Sequence, residues 1–233
     1  MRNLFAADDR AIGIWPALFC LWATLAICSA IALSGFSSES ITRLLVIVFL
    51  LGQIALRSRI VNGFFWLSPK LRFIALGTVL AAVVEGFHMI SMPVFPSLRI
   101  DWNISFIQGL IRYGLDLLFT VPAYVIIFSI IWYFIQKTQY ALWQYIVIMG
   151  LAQALGDGGL FFFLGAPSML LFLPYPMTNY HAINVIPFLS VRDHLRHEPS
   201  SSAFAYLAIP GLVGTYFICG AIIRLLGRAC GLE

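Results

Sequence analysis

The sequence predicts an all-α polytopic membrane protein, a bundle of transmembrane helices in a single integral membrane domain that covers residues 1–233. Hydrophobic residues make up 61% of the chain and charged residues only 10%, whereas a soluble domain carries about 25% charged residues. A helix needs about 20 mainly apolar residues to cross a bilayer. Five stretches meet this requirement, at about 12–35, 72–95, 105–135, 139–165 and 203–226.

The first apolar stretch is interpreted as a membrane anchor. The residues before it lack a basic run, and no small-residue cleavage site precedes Pro16, so a cleaved signal peptide is not expected. A shorter stretch at about 41–56 is expected to form a sixth span.

The segment 166–191 is apolar but is interrupted by prolines, which remove backbone donors and stop helices. The prolines are Pro167, Pro174, Pro176 and Pro187. We interpret this segment as a re-entrant or interfacial hairpin, with a seventh span as the alternative.

The distribution of Lys and Arg predicts the orientation. With six spans and a cytoplasmic N-terminus, most basic side chains fall on the cytoplasmic side, so both termini are predicted to be cytoplasmic. Short loops suit a bacterial inner membrane. The net charge of +4 follows the ends of the spans and forms no basic stripe, so nucleic acid is not an expected partner. No dinucleotide fingerprint or CxxC spacing occurs, and no cofactor is predicted.

Five ionisable side chains lie within the apolar stretches: Glu85, His88, Arg112, Asp116 and Asp157. A charge at the centre of a transmembrane helix costs about 2.5–3.5 kcal/mol on insertion scales, so such residues normally face the bundle interior or a wet cavity. The predicted topology brings all five to one layer in the outer half of the bilayer.

The spacing of these residues groups them further. Glu85 and His88 share a helical face, and two i, i+4 patterns follow, formed by Gln108, Arg112 and Asp116 and by Gln153 and Asp157. Arg112 and Asp116 are expected to pair, as a structural pair or as part of a site. Glu85 and Asp157 then keep only His88 as a nearby partner. A carboxyl buried without a counter-charge favours its protonated form, which suits acid–base chemistry or proton-coupled transport.

A second group of polar side chains lies within 181–198. His181, His194 and His197, with Asp193 and Glu198, offer ligands that zinc or copper could use. Their spacing is not specific, so a solvated interfacial loop is the preferred interpretation and no metal is assigned.

The run 153–161, QALGDGGLF, resembles the QxxGDxxxF pattern of the emopamil-binding-protein (EXPERA) family. Residues 85–87 resemble that family's Glu-Gly-aromatic step, and 209–211 resemble a Pro-Gly step in its last helix. The resemblance covers about a third of the chain. It implies a small helical membrane protein, and the sterol isomerases of the family shift a ring double bond by protonating one carbon and deprotonating another.

This resemblance implies roles for particular residues. Glu85 and Asp157 would form the acid–base pair, and Asp116 would stand where the family has another acidic residue. The family's histidine four residues before the glutamate is Ala81 here, so His88 would have to carry the proton.

Three functions are compatible with these patterns. The first is an intramembrane enzyme that isomerises or cyclises an apolar isoprenoid, sterol or carotenoid-type substrate in a closed cavity, with Arg112, Gln153 and Gln108 lining the substrate site. The second is a structural or assembly subunit that meets partner membrane subunits. The third is a proton-coupled transporter or channel. The enzyme is the preferred hypothesis.

Overall fold

The computed structural model describes residues 14–195 and 202–232, and within them every regular element is helical, which confirms the predicted all-α class. Six helical stretches are long and apolar enough to cross a membrane, as expected of an integral membrane protein. The α-helices are α1 Ile14–Ser34, α2 Ser38–Gly63, α3 Pro69–His88, α4 Phe106–Lys137, α5 Leu142–Ala154, α6 Leu160–Gly165, α7 Pro174–Val191, α8 Ser202–Tyr206 and α9 Ala208–Ala229. A π-helical segment, Leu155–Gly159, joins α5 to α6 in one continuous stretch.

Two helix boundaries differ from the predicted spans. Helix α3 ends at His88 rather than near residue 95, because Pro93 lacks a backbone donor and disfavours helical geometry in the residue before it. The chain then turns through 89–105. Helix α2 is longer than the predicted 41–56, because Ser37 caps its first turn by accepting a hydrogen bond from the Ser40 backbone N–H at 3.2 Å.

Helix α7 corrects the interpretation of 166–191 as a hairpin. Only its first part, Pro167–Phe172, is a short 3-10 turn, and an 18-residue helix follows. Pro174 and Pro176 lie in the first turn of this helix, where a missing backbone N–H breaks no intrahelical bond. Most residues of α7 are buried, and it packs against α2, α3 and α5. It is therefore a central helix of the bundle.

The contacts of α7 show that it runs the length of the bundle. We call the end of the bundle that holds the α2–α3 turn, 64–68, the proximal end, and the end that holds 89–105 the distal end. At the proximal end Arg72 of α3 donates to the carbonyl of Ser190 at 3.2 Å. At the distal end the Arg43 guanidinium of α2 lies 4.2 Å from the ring centre of Tyr175. Helix α7 thus extends between the two ends of the bundle, although it is not among the six stretches that are long and apolar enough to cross a membrane.

Helix α9 returns from the proximal to the distal end. Tyr140, in the α4–α5 turn, donates to the carbonyl of Ala205 at 3.0 Å, and Ser97 donates to the carbonyl of Leu232 at 2.7 Å. Because α1 connects to α2 at the distal end, α1 begins at the proximal end. The first and last described residues therefore lie at opposite ends of the bundle. The predicted cytoplasmic location of both termini needs an even number of crossings, so it depends on whether α7 crosses the membrane together with the six apolar stretches.

This topology predicts the behaviour of reporter fusions. A reporter that is active only outside the cytoplasm, inserted in the α4–α5 turn at 138–141, is expected to give the opposite result from the same reporter fused after residue 233. Paired cytoplasmic and external reporters at both positions, assayed in intact cells, provide the measurement. The same compartment at both positions would contradict a crossing by α7.

Candidate functional site

Polar side chains from five helical elements meet inside the bundle. Tyr124 of α4 donates its hydroxyl to a carboxylate oxygen of Glu85 on α3. Tyr180 of α7 donates to Oδ2 of Asp157 in the π-helical segment at 2.6 Å. Two further residues, Gln153 and Tyr216, lie beside these four. We call the six residues together the tyrosine–carboxyl cluster: Glu85, Tyr124, Gln153, Asp157, Tyr180 and Tyr216.

Gln153 and Tyr216 connect the two tyrosine–carboxyl pairs. The Tyr216 hydroxyl of α9 donates to Oε1 of Gln153 at 3.0 Å. The side-chain N–H of Gln153 donates to the backbone carbonyl of Met149 at 3.1 Å. The rings of Tyr180 and Tyr216 meet edge to face, with centroids 6.2 Å apart. The cluster therefore shares one interior surface and is not two separate contacts.

The two carboxyl groups bind different tyrosines and have no positive partner in the described part of the chain. Neither Glu85 nor Asp157 contacts a Lys, Arg or His nitrogen among these residues. The negative charge of Asp116 acts on Glu85, and that of Asp157 acts on it to a smaller extent. The sequence predicts that Glu85 and Asp157 lie in one layer, and this remains a prediction.

The Gly-Asp-Gly-Gly run gives the chain its unusual shape around Asp157. Asp157 and Gly158 depart from helical dihedrals, with Gly158 at φ +91°, a conformation that only glycine adopts without strain. A Cβ on Gly156 would lie 2.8 Å from Cβ of Tyr216, so this glycine lets α9 approach closely. The segment is therefore a kink between α5 and α6, and not a regular helical turn.

The members of the cluster differ in their exposure. Gln153 is fully buried and Tyr180 is 5% exposed, while Glu85 is half-buried. Asp157 and the neighbouring Gly158 are exposed, so an apolar molecule can reach Asp157 from the surface of the bundle. A closed cavity was expected from the sequence, and the exposure of Asp157 differs from that expectation.

Arg112 and Gln108 lie elsewhere. Arg112 donates to the backbone carbonyl of Arg99, so the expected ion pair with Asp116 is not formed. The 89–105 segment folds over this face of α4 and supplies a competing acceptor. Gln108 is exposed and forms a capping box with Ser105 at the start of α4. Neither residue contacts the tyrosine–carboxyl cluster.

Asp116 holds the turn that follows α3. Its Oδ1 accepts the backbone N–H of Val94 at 2.9 Å, and its side chain is fully buried. Its Oδ2 has no hydrogen-bond partner. A buried N–H without an acceptor is costly, so this bond fastens 89–105 to α4. Asp116 influences Glu85 by its charge without belonging to the cluster.

His88 does not contact Glu85, contrary to the expected pairing. It lies one helical turn nearer the distal end, beside Asn179 of α7 and Arg43 of α2. Arg43, which the sequence analysis did not single out, is 5% exposed within α2. A second polar group therefore adjoins the first.

The three histidines considered as metal ligands do not assemble. His181 faces α5, where a Cβ on Gly150 would come within 2.6 Å of its Nε2. His194 is exposed in the turn Arg192–His194, beyond the proximal end of α7. His197 and Glu198 lie outside the described residues. In 14–195 and 202–232 no group of three or more His, Cys, Asp and Glu could hold a metal ion.

The three tyrosines of the cluster, Tyr124, Tyr180 and Tyr216, were not predicted from the sequence, because the candidate residues were chosen among ionisable and amide side chains. A tyrosine hydroxyl in an apolar helix normally finds a hydrogen-bond partner when buried. Matching such tyrosines to the unpaired carboxyls would have suggested these contacts.

These features define an all-α bundle with six helices apolar enough to cross a membrane and a group of tyrosine, glutamine and carboxyl side chains between its helices. Comparison with protein families, curated proteins and solved structures finds no match to this chain. A functional assignment has to come from the geometry of the cluster.

Proposed function

We propose that the protein is an intramembrane enzyme that isomerises or cyclises an apolar substrate of isoprenoid, sterol or carotenoid type by proton transfer. One observation carries the proposal: Glu85 and Asp157 belong to one cluster, each accepts a tyrosine hydroxyl, and neither contacts a cation among residues 14–195 and 202–232. Two carboxylates close together in an apolar interior repel each other, so the pair is expected to hold one proton between them. One group can then donate a proton while the other accepts one.

The reaction follows from this arrangement. The protonated carboxyl adds its proton to one carbon of a substrate double bond, which leaves a carbocation on the neighbouring carbon. In isomerisation the other carboxylate removes a proton from the next carbon, and the double bond has moved. In cyclisation a second double bond attacks the cation before that proton is lost. In either case the carboxyl groups have exchanged one proton, and no external oxidant or reductant is needed.

The remaining members of the cluster orient the acid–base pair. Tyr124 and Tyr180 hold the two carboxyl groups in place, and Tyr216 fixes the Gln153 amide between them. The faces of aromatic rings attract a passing cation. In this proposal His88 takes no direct part, because Tyr124 occupies the position beside Glu85.

The resemblance to the EXPERA family is consistent with this chemistry. The residues that carry it, 85–87 and 153–161, contain the two carboxyl groups of the cluster. We propose that the likeness reflects a shared use of the glutamate and the aspartate.

Incorporation of solvent deuterium into lipid tests the proposal. Membranes that contain the protein, incubated in D₂O, are expected to yield a lipid species with deuterium bound to carbon, detected by mass spectrometry of extracts. Membranes without the protein, from the same host, are the control. If no carbon-bound deuterium depends on the protein with lipid extracts from several sources, proton transfer to a lipid is excluded.

A proton-coupled transporter is the alternative that one observation favours, because the helix that carries Asp157 is interrupted at that residue. Broken helices form ion sites in many transporters. Protein-dependent proton flux in sealed vesicles, without deuterium in lipid, would support this alternative. A partner subunit that covers the exposed Asp157 is the third possibility, and copurification of a fixed partner would identify it.

We also propose that the proximal end faces the cytoplasm of a bacterial inner membrane. Arg57, Arg59, Lys70 and Arg72 flank the α2–α3 turn at this end, as the positive-inside tendency requires. In the reporter series described above, the fusion at 138–141 would then report the cytoplasm.

A further inference from the structure

Arg43 is a buried cation that pairs with no anion among the residues that the structure describes. It lies in the second turn of α2 and is 5% exposed. Its Nη1 donates to Oδ1 of Asn179, its guanidinium lies over the ring of Tyr175, and its Nε has no hydrogen-bond partner. Glu39, one turn earlier on α2, is exposed and forms no ion pair with it. Buried charges are normally paired, so Arg43 lacks the partner its position calls for.

The surroundings of Arg43 suit an oxyanion. Asn179 and His88 lie beside it and are hydrogen-bonded to each other, and the side-chain amide of Asn179 has N–H groups that can donate to an anion. We call Arg43, His88, Tyr175 and Asn179 the arginine site. A planar guanidinium with a free N–H is the preferred protein donor for phosphate and carboxylate groups.

The depth of the arginine site suits the head of an amphiphile. Arg43 lies about 8 Å from the start of α2 at helical rise. That distance matches the thickness of the head-group layer between water and the hydrocarbon core. An anion at this level can keep its head at the arginine site while an apolar chain continues into the bundle.

The arginine site adjoins the tyrosine–carboxyl cluster through two shared helices. His88 follows Glu85 by one turn of α3, about 5 Å along the axis. On α7, Asn179 of the arginine site directly precedes Tyr180 of the cluster. A molecule bound at the arginine site would therefore have its first carbon atoms near the carboxyl pair.

We propose that the arginine site binds the oxyanion head group, phosphate or carboxylate, of an amphiphilic substrate whose apolar part reaches the tyrosine–carboxyl cluster. The inference rests on the proposed function in one respect, that the bound molecule is the substrate of the carboxyl pair. It sharpens the substrate class from an apolar lipid to an anionic amphiphile with its reacting double bond near the head.

Binding of single-chain probes tests this inference independently of turnover. Purified protein in a neutral maltoside detergent is titrated with dodecyl phosphate, dodecyltrimethylammonium or inorganic phosphate, and thermal unfolding is followed. Dodecyl phosphate is expected to raise Tm in a saturable way, because a ligand that binds only the folded state stabilises it. The cationic analogue is expected to have no such effect, and inorganic phosphate a much weaker one.

Two arginine variants provide the matched comparison. Arg43→Gln is expected to weaken the apparent affinity for dodecyl phosphate at least about tenfold, as loss of a buried charged hydrogen bond does. Arg112→Gln, a change near the same end of the bundle, is expected to leave it unchanged. Equal affinity in Arg43→Gln and the wild type would overturn the inference. If Arg43→Gln does not fold, the wild type decides, and equal stabilisation by the anionic and cationic probes would overturn it.

The remaining outcomes separate the two proposals. If inorganic phosphate raises the Tm of the protein as strongly as dodecyl phosphate does, the site binds a free anion, and the proposal of an amphiphilic ligand is contradicted. Glu85→Gln is expected to bind dodecyl phosphate as the wild type does. Selective binding without any deuterium incorporation would refute the proposed enzyme and leave the anion site in place.

Discussion

Glu85→Gln and Asp157→Asn are each expected to lower protein-dependent deuterium incorporation into lipid by at least about 100-fold, the usual contribution of a general acid or base. Each amide keeps the shape of the carboxyl group and can still accept the hydroxyl of Tyr124 or Tyr180. Neither amide can pass a proton to or from carbon. The rate of label incorporation per folded protein, measured by mass spectrometry and fluorescence-detected size exclusion, provides the measurement.

The control for these variants is Asp101→Asn, which removes an exposed carboxylate from the 89–105 segment. The Asp101 side chain is 63% exposed and pairs only with Arg99, at 3.7 Å, so labelling should stay at the wild-type rate. If Glu85→Gln and Asp157→Asn both fail to fold, the two carboxyl groups are structural. Normal labelling in either variant would remove that residue from the acid–base pair.

Helices that expose apolar side chains on the outside of the bundle were predictable as spans from the sequence. Helices buried among other helices were less predictable. Helices α1 and α2 expose apolar side chains along most of their length, so composition alone identifies them. Helix α7 contacts other helices on nearly all sides, which lets it carry Asn179, His181 and Asn184 within the bundle. Its mean hydropathy is therefore lower than that of a lipid-facing span. Its prolines suggest a break, but Pro174 and Pro176 lie in the first turn and the helix continues through Pro187.

The site was predictable from the cost of burying charge, but only in part. Glu85 and Asp157 were identified because no local partner offsets their charge. The pairing of Arg112 with Asp116 was wrong, since both side chains bind backbone groups of the 89–105 segment, a contact that local spacing cannot reveal. The burial of Arg43 was not predicted, because it depends on the residue at which α2 begins. The capping serine places that beginning closer to the N-terminus than the predicted span does.

The shape of the π-helical segment depends on Gly159, and Gly159→Ala is expected to destabilise the protein by about 1–3 kcal/mol, as overpacked substitutions do. A Cβ at this position would lie 2.2 Å from the backbone carbonyl oxygen of Ala154, and backbone cannot rotate away as a side chain can. The segment would have to open or rewind, which would displace Asp157 from the Tyr180 hydroxyl. We therefore expect a lower Tm and, in the protein that still folds, loss of deuterium labelling.

Gly165→Ala is the matched control, because Gly165 closes the same membrane crossing and a Cβ there would meet no atom within 4 Å. It should keep the wild-type Tm and labelling rate. Equal behaviour of Gly159→Ala and Gly165→Ala would mean that the chain around Asp157 tolerates a regular helix. If Gly159→Ala keeps a normal Tm but loses labelling, the role of the segment in stability is separated from its role in positioning Asp157. Its shape would then be needed to aim Asp157 at the substrate and not to hold the bundle together.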